Sequence, residues 1–135
     1  MIVVDASVVL DLLTATGGRT RLHDRLADET LIAPETLPIE VASALRGLNR
    51  GGLLSDERVE RAASDLARLR LELSSPLPLV PRVLDLRHNL SAYDAAYVAL
   101  AEVTRSALLT LDRRLARTAA AHCVVEVPGR EAAGT

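Results

Sequence analysis

The sequence predicts an α/β domain: a parallel β-sheet of about four to five strands flanked by helices. Three observations carry that expectation. Ile2-Val3-Val4, Leu31-Ile32-Ala33, Ala107-Leu108-Leu109 and Val124-Val125-Glu126-Val127 are short, mostly apolar runs of the kind buried on both faces of a parallel sheet. Stretches with helical periodicity separate them. No linker and no internal repeat interrupts the alternation, so residues 1–135 read as one domain.

Each element has a local justification. The first strand is expected over 2–5. Ser7 sits where an N-cap is wanted and leads a short helix to residue 13, broken by Gly17-Gly18. Residues 19–28 form an amphipathic helix with Leu22 and Leu26 on one face. The strand 31–33 is closed by Pro34, and the helix after it, from 35 or 37, runs to Arg50 and ends at Gly51-Gly52. Ser55-Asp56-Glu57-Arg58 opens a helix to about residue 69, followed by a strand candidate over 71–73. Pro76, Pro78 and Pro81 precede a short helix over 82–88. Ser91 and Asp94 have capping-box spacing at the start of a helix over 92–103 that is apolar nearly all round, hence buried. A strand over 107–110 leads to Asp112, which caps a helix over 113–120; the last strand is 124–127, and 129–135 read as a loose tail.

Composition removes several functional classes. All 16 basic residues are Arg, so lysine-dependent phosphate loops and Schiff-base chemistry are excluded. One cysteine, Cys123, leaves neither a disulfide framework nor a cysteine zinc site. Tyr93 and Tyr97 are the only aromatic residues, so base stacking on aromatic platforms, as in RRM or OB modules, is nearly excluded. A net charge of −2 supplies no global attraction to nucleic acid, so any such contact falls to local arginines. The first residues lack a basic leader, and Asp5 and Asp11 interrupt the apolar stretch; with no membrane-length apolar run, the expectation is a cytoplasmic protein.

Right-handed βαβ connections put strand ends and the starts of following helices on one sheet edge. Asp5, Glu40, Asp94 and Asp112 all fall at that carboxyl edge, where open α/β sheets bind ligands. If the sheet reverses its order between the first and fourth strands, they converge on one pocket. Singly, Asp112 and Ser7 read as caps, and Asp94 as the acid of its capping box. Glu40 shares a helical stripe with Leu37, Val41, Ala44, Leu45 and Leu48, and Asp94 shares a face with Tyr97, Val98 and Ala101. A carboxylate on such a face is costly unless paired or metal-bound. Jointly, four oxygen donors point to Mg²⁺ or Mn²⁺. Arg113 and Arg114 could hold a phosphate beside that site. His23, His88 and His122 fit no metal-ligand pattern.

Val3-Val4-Asp5-Ala6-Ser7, the segment 37–45 (LPIEVASAL), the segment 90–101 (LSAYDAAYVALA) and Leu109-Thr110-Leu111-Asp112 together resemble the PIN-domain ribonucleases, and more narrowly the VapC toxins of bacterial type II toxin–antitoxin systems. The resemblance implies a Mg²⁺- or Mn²⁺-dependent endoribonuclease acting on structured RNA such as tRNA or rRNA. By motif position it implies an acidic quartet of Asp5, Glu40, Asp94 and Asp112, with Ser7 and Thr110 as supporting polar groups. It also implies a homodimer and a cognate VapB-type antitoxin that blocks the site in a hetero-oligomer. RNA docking would then fall to arginines such as Arg87, Arg113 and Arg114. The rivals are an aspartyl-phosphate phosphatase and a receiver-type module, both of which want a lysine, and a catalytically inactive binding protein of the same fold.

Overall fold

The computed structural model describes residues 1–15 and 20–128. The expected break at Gly17-Gly18, the start of the helix at Arg19 and the tail 129–135 lie outside the described residues.

Five parallel strands form one sheet: β1 (Ile2–Val4), β2 (Leu31–Pro34), β3 (Leu71–Ser74), β4 (Ala107–Leu109) and β5 (Val125–Glu126), in the order β3-β2-β1-β4-β5. In register, Ile2 lies between Leu31 and Ala107, and Val3 between Ile32 and Leu108. The chain builds outward through β2 and β3, then returns to place β4 on the other side of β1. The order therefore reverses between β1 and β4, the condition under which the four acids share an edge.

Helices α1 (Ala6–Thr14), α2 (Arg21–Leu26), α3 (Leu37–Arg50), α4 (Asp56–Arg68), α5 (Val80–Asp85), α6 (Ala92–Thr104) and α7 (Arg113–Ala119) fill the connections. Helices α1, α3 and α4 pack on one another, while α6 lies across β1, β2 and β4 with α5 against it. The Arg82 guanidinium grips Glu102 with two bonds of 2.9 and 3.0 Å, tying α5 to α6. The core is aliphatic: Val3, Val4, Val8 and Val9 from β1 and α1 are fully buried, as are Leu37 and Val41 of α3. Residues 95–101 of α6 are all buried, as their unbroken apolar character requires. No helix among the described residues is long and apolar enough to cross a membrane.

The differences from expectation have local causes. Helix α1 is capped by Asp5 rather than Ser7: the Asp5 carboxylate accepts the Val8 N–H at 3.2 Å, and Ser7 is inside the first turn. Pro34 ends β2 instead of closing it off, paired in register with Ser74, because a proline at a strand's end costs little pairing. Helix α5 starts at Val80 and ends at Asp85, not 82–88, after a 3₁₀ turn over Leu77–Leu79. Pro81 lies in its first turn, where the missing N–H has no intrahelical partner to lose. Helix α3 ends at Gly51, and Gly52 takes the left-handed conformation (φ 76°) that follows a helix end.

Candidate active site

Asp5 ends β1 and caps α1, and it is 5% exposed. Burial alone would push its carboxyl well above the usual range, and three donors oppose that push. Ser7 Oγ donates to Oδ1 at 2.5 Å, the Val8 N–H donates to the same oxygen, and the buried Thr110 hydroxyl donates to Oδ2. Desolvation wins, and the carboxyl stays raised. The two hydroxyls bind onward. Ser7 Oγ accepts the Leu111 N–H at 3.0 Å, and Thr110 Oγ1 accepts the Asp112 N–H at 3.0 Å. Ser7, inside the first turn of α1, thus joins that helix to the β4–α7 loop.

Asp112 is the N-cap of α7, as its sequence position predicts. Its Oδ1 accepts the Arg114 and Leu115 N–H groups at 2.9 and 3.2 Å, a helix N-cap that leaves Oδ2 uncommitted. Asp94 stands in the first turn of α6, its N–H donating to Ser91 Oγ at 3.2 Å. Asp94, Asp112 and Arg114 line one cleft of about 200 Å³. The Arg114 charge lowers the Asp94 carboxyl, but burial and Asp112 raise it by more.

Glu40 is half-buried at the margin of the α3 stripe whose Leu37, Val41 and Leu45 enter the core. The Tyr97 hydroxyl of α6 donates to its Oε2. The Tyr97 ring is buried at 2% exposure, and its phenol is pushed far above its ordinary value, so it remains a donor. Tyr97 is the polar group that the sequence reading left out of the site. The available signal was its position one turn after Asp94, on a helix with no other buried hydroxyl-bearing aromatic.

The four acids act on one another in a closed ring. Asp112 raises Asp5 and Asp94, Asp94 raises Glu40, and Asp5 raises Glu40. They are not a ready-made chelate: among the described residues no three His, Cys, Asp or Glu side chains form a group that could hold a metal ion. Of the three arginines considered for RNA, Arg114 lines the acid cleft and Arg113 is exposed at the start of α7. Arg87 is turned to its own helix end, donating to the Leu84 carbonyl at 2.8 Å, and does not line the cleft. His23 is structural, its Nδ1 completing a capping box with Thr20 at the start of α2.

The PIN domain model covers residues 2–121. The chain belongs to the PIN-domain family. Its similarity extends to curated VapC ribonucleases: it is 41% identical over 130 residues to Ribonuclease VapC9 of Mycobacterium tuberculosis strain H37Rv, spanning 96% of this chain and 100% of that one. A VapC ribonuclease of Mycobacterium bovis matches to the same extent. Ribonuclease VapC3 of M. tuberculosis is 38% identical over 117 residues, covering 86% and 85% of the two chains. The crystal structure of PAE2754 from Pyrobaculum aerophilum shares the fold, with a TM-score of 0.62 at 24% identity over 92% of this chain and 89% of that one.

As a PIN-domain site, the donor set suits a hard divalent cation chemically. Every candidate ligand is an oxygen, and three of the carboxyls are raised by burial and by each other. Among the described residues, Arg114 is the cation whose charge acts on Asp94. A bound positive ion would offset the repulsion among these carboxylates.

Proposed function

We propose that this PIN-domain chain is an endoribonuclease toxin that hydrolyses phosphodiester bonds in structured RNA such as tRNA or rRNA, with Mg²⁺ or Mn²⁺ as cofactor. The observation that carries the reading is the set of carboxylates from four separate elements at the sheet's reversal point, three of them raised chiefly by burial, in a chain 41% identical to VapC ribonucleases. Asp5, Asp94 and Asp112 are the residues that would hold the ion, with Glu40 as a further ligand or as the group orienting the attacking water. When bound, such an ion supplies Lewis acidity, acidifying water and stabilising charge on the phosphate.

The chain's own groups do the rest. Ser7 and Thr110 fix both Asp5 oxygens, so that carboxylate is positioned before substrate arrives. Tyr97 occupies one Glu40 oxygen and leaves Oε1 to serve as a ligand or to orient the attacking water. Arg114 stands beside the acids as the nearest countercharge for a phosphate. In this reading the protein works in the cytoplasm, pairs as a homodimer, and is held in check by a VapB-type antitoxin in a hetero-oligomer. The exposed Leu73, Leu77, Val80 and Leu84 around β3 and α5 are apolar surface suited to such contacts.

The deciding experiment is cleavage of total cellular RNA by the purified protein with Mg²⁺ or Mn²⁺, beside Asp5→Ala and an EDTA control. Discrete fragments that vanish in both controls are expected. Intact RNA in every lane would shift the assignment to a catalytically inactive binding protein of the same fold.

A further inference from the structure

The two aromatic residues of the chain have opposite fates within one turn of α6. Tyr97 is buried with its hydroxyl on Glu40, whereas Tyr93 is 62% exposed. Tyr93 immediately precedes Asp94, and the helix sends these neighbours to different hollows. Asp94 faces the cleft with Asp112 and Arg114. Tyr93 lines a groove of about 810 Å³ with Ile39, Ala44, Pro76 and Glu40. Glu40, one of the four candidate acids, lines this groove, and Tyr93 is the chain neighbour of Asp94, so the groove borders the candidate site.

The chemistry of the groove selects its occupant. Its lining is mainly apolar, with Ile39 as exposed as 74%, and its only charged groups are Glu35 and Glu40. Negative charge with no countercharge in the lining disfavours a phosphate here, whereas the other cleft sets Arg114 against Asp94 and Asp112. A planar, uncharged group suits an open tyrosine ring beside an apolar wall. A strand with its phosphate at the acids and an adjacent base in the groove satisfies both hollows at once.

Building on the ribonuclease reading, we propose that Tyr93 is a stacking platform for an unpaired base of the RNA next to the scissile phosphate. The acid ring would then act on a single-stranded position, since a base inside a helix cannot be laid on the ring. Tyr93 is a binding residue in this scheme, and its effect should be seen without turnover.

The test is binding, in EDTA, of a short unstructured RNA oligomer carrying 2-aminopurine, and of its abasic counterpart, with 2-aminopurine emission and anisotropy as readouts. Because Tyr93 is exposed, variants there should keep the wild-type circular dichroism and melting temperature. Tyr93→Ala is expected to weaken binding of the base-bearing oligomer by about 5- to 150-fold, the span of a single stacked base, while Tyr93→Phe keeps wild-type affinity. Equal binding by wild type and Tyr93→Ala would overturn the proposal. So would Tyr93→Phe as weak as Tyr93→Ala, or no binding by the wild type. Abasic RNA bound as tightly as the base-bearing oligomer would also overturn it, and would leave the groove to an apolar segment of a protein partner. Base-dependent binding by a wild-type protein that cleaves no RNA would retain the platform and defeat the ribonuclease reading instead.

Discussion

The Thr110 hydroxyl donates to Asp5, a residue 105 positions away, while accepting the backbone N–H of Asp112 at 3.0 Å. One fully buried side chain therefore fixes one acid of the ring and the backbone of another. Thr110→Val keeps the shape and removes the hydroxyl, leaving a buried carboxylate oxygen and an N–H short of partners. The expected cost is about 1–3 kcal/mol of stability, measured by urea denaturation. Cleavage should fall roughly 10- to 100-fold, as for loss of an outer partner to a metal-site ligand. Thr110→Ser should recover most of both. A Val variant as stable and active as wild type would show the link to be dispensable.

Tyr97→Phe isolates the bond to Glu40, because the buried ring remains. That bond holds the Glu40 carboxyl down against burial and the neighbouring acids, so its loss raises the group further. The acidic limb of the activity–pH profile should move to higher pH, with a stability loss of about 1 kcal/mol. A limb that stays in place would mean that Glu40 does not titrate in the reaction.

Asp5, Glu40 and Asp94 are all raised, chiefly by desolvation. The folded protein thus binds protons more tightly at these groups than the unfolded chain does. Their stabilising contribution is complete below the unfolded carboxyl values of about 4 and is lost as pH rises through the raised folded values. Melting of the metal-free protein should accordingly show a downward contribution as pH is raised from about 4 toward neutrality. Mg²⁺ or Mn²⁺, by binding the ionised form, should oppose it. A metal-free profile that instead rises steadily with pH would contradict the assigned shifts.

Asp94→Asn removes one charge from the ring without removing volume. Cleavage should disappear, while the metal-free melting temperature stays level or rises, because repulsion and the cost of a half-buried charge are gone. An Asn variant that cleaves normally would remove Asp94 from the site.

Arg105, the residue after α6, is held in the left-handed region at φ 52°, where a side chain is strained. It is exposed, so little is lost by truncation. Arg105→Gly should stabilise the protein by about 1 kcal/mol, read as a higher urea midpoint at unchanged slope. A lower midpoint would show that the arginine side chain contributes more than the backbone strain costs.

Much of this protein was legible in one dimension because its signals are local. Uninterrupted apolar runs at Ile2–Val4 and Leu31–Ala33 specify strands covered on both faces, and the apolar α6 specifies a buried helix. With right-handed crossovers, those elements are enough to send Asp5, Glu40, Asp94 and Asp112 to the same edge. What the edge does with them was decided in three dimensions. Asp5 and Ser7 are both competent caps by residue type; Asp5 takes the cap, and Ser7 Oγ binds the Leu111 N–H on another strand's loop. The Tyr97–Glu40 bond spans 57 residues, and neither local sequence predicts it. The division of α6's first turn into an acid facing one hollow and a ring facing another is equally tertiary. Periodicity and capping act over a few residues and so are written in sequence. Hydrogen-bond pairing and desolvation depend on which distant groups the packed sheet brings together, and only the folded chain determines them.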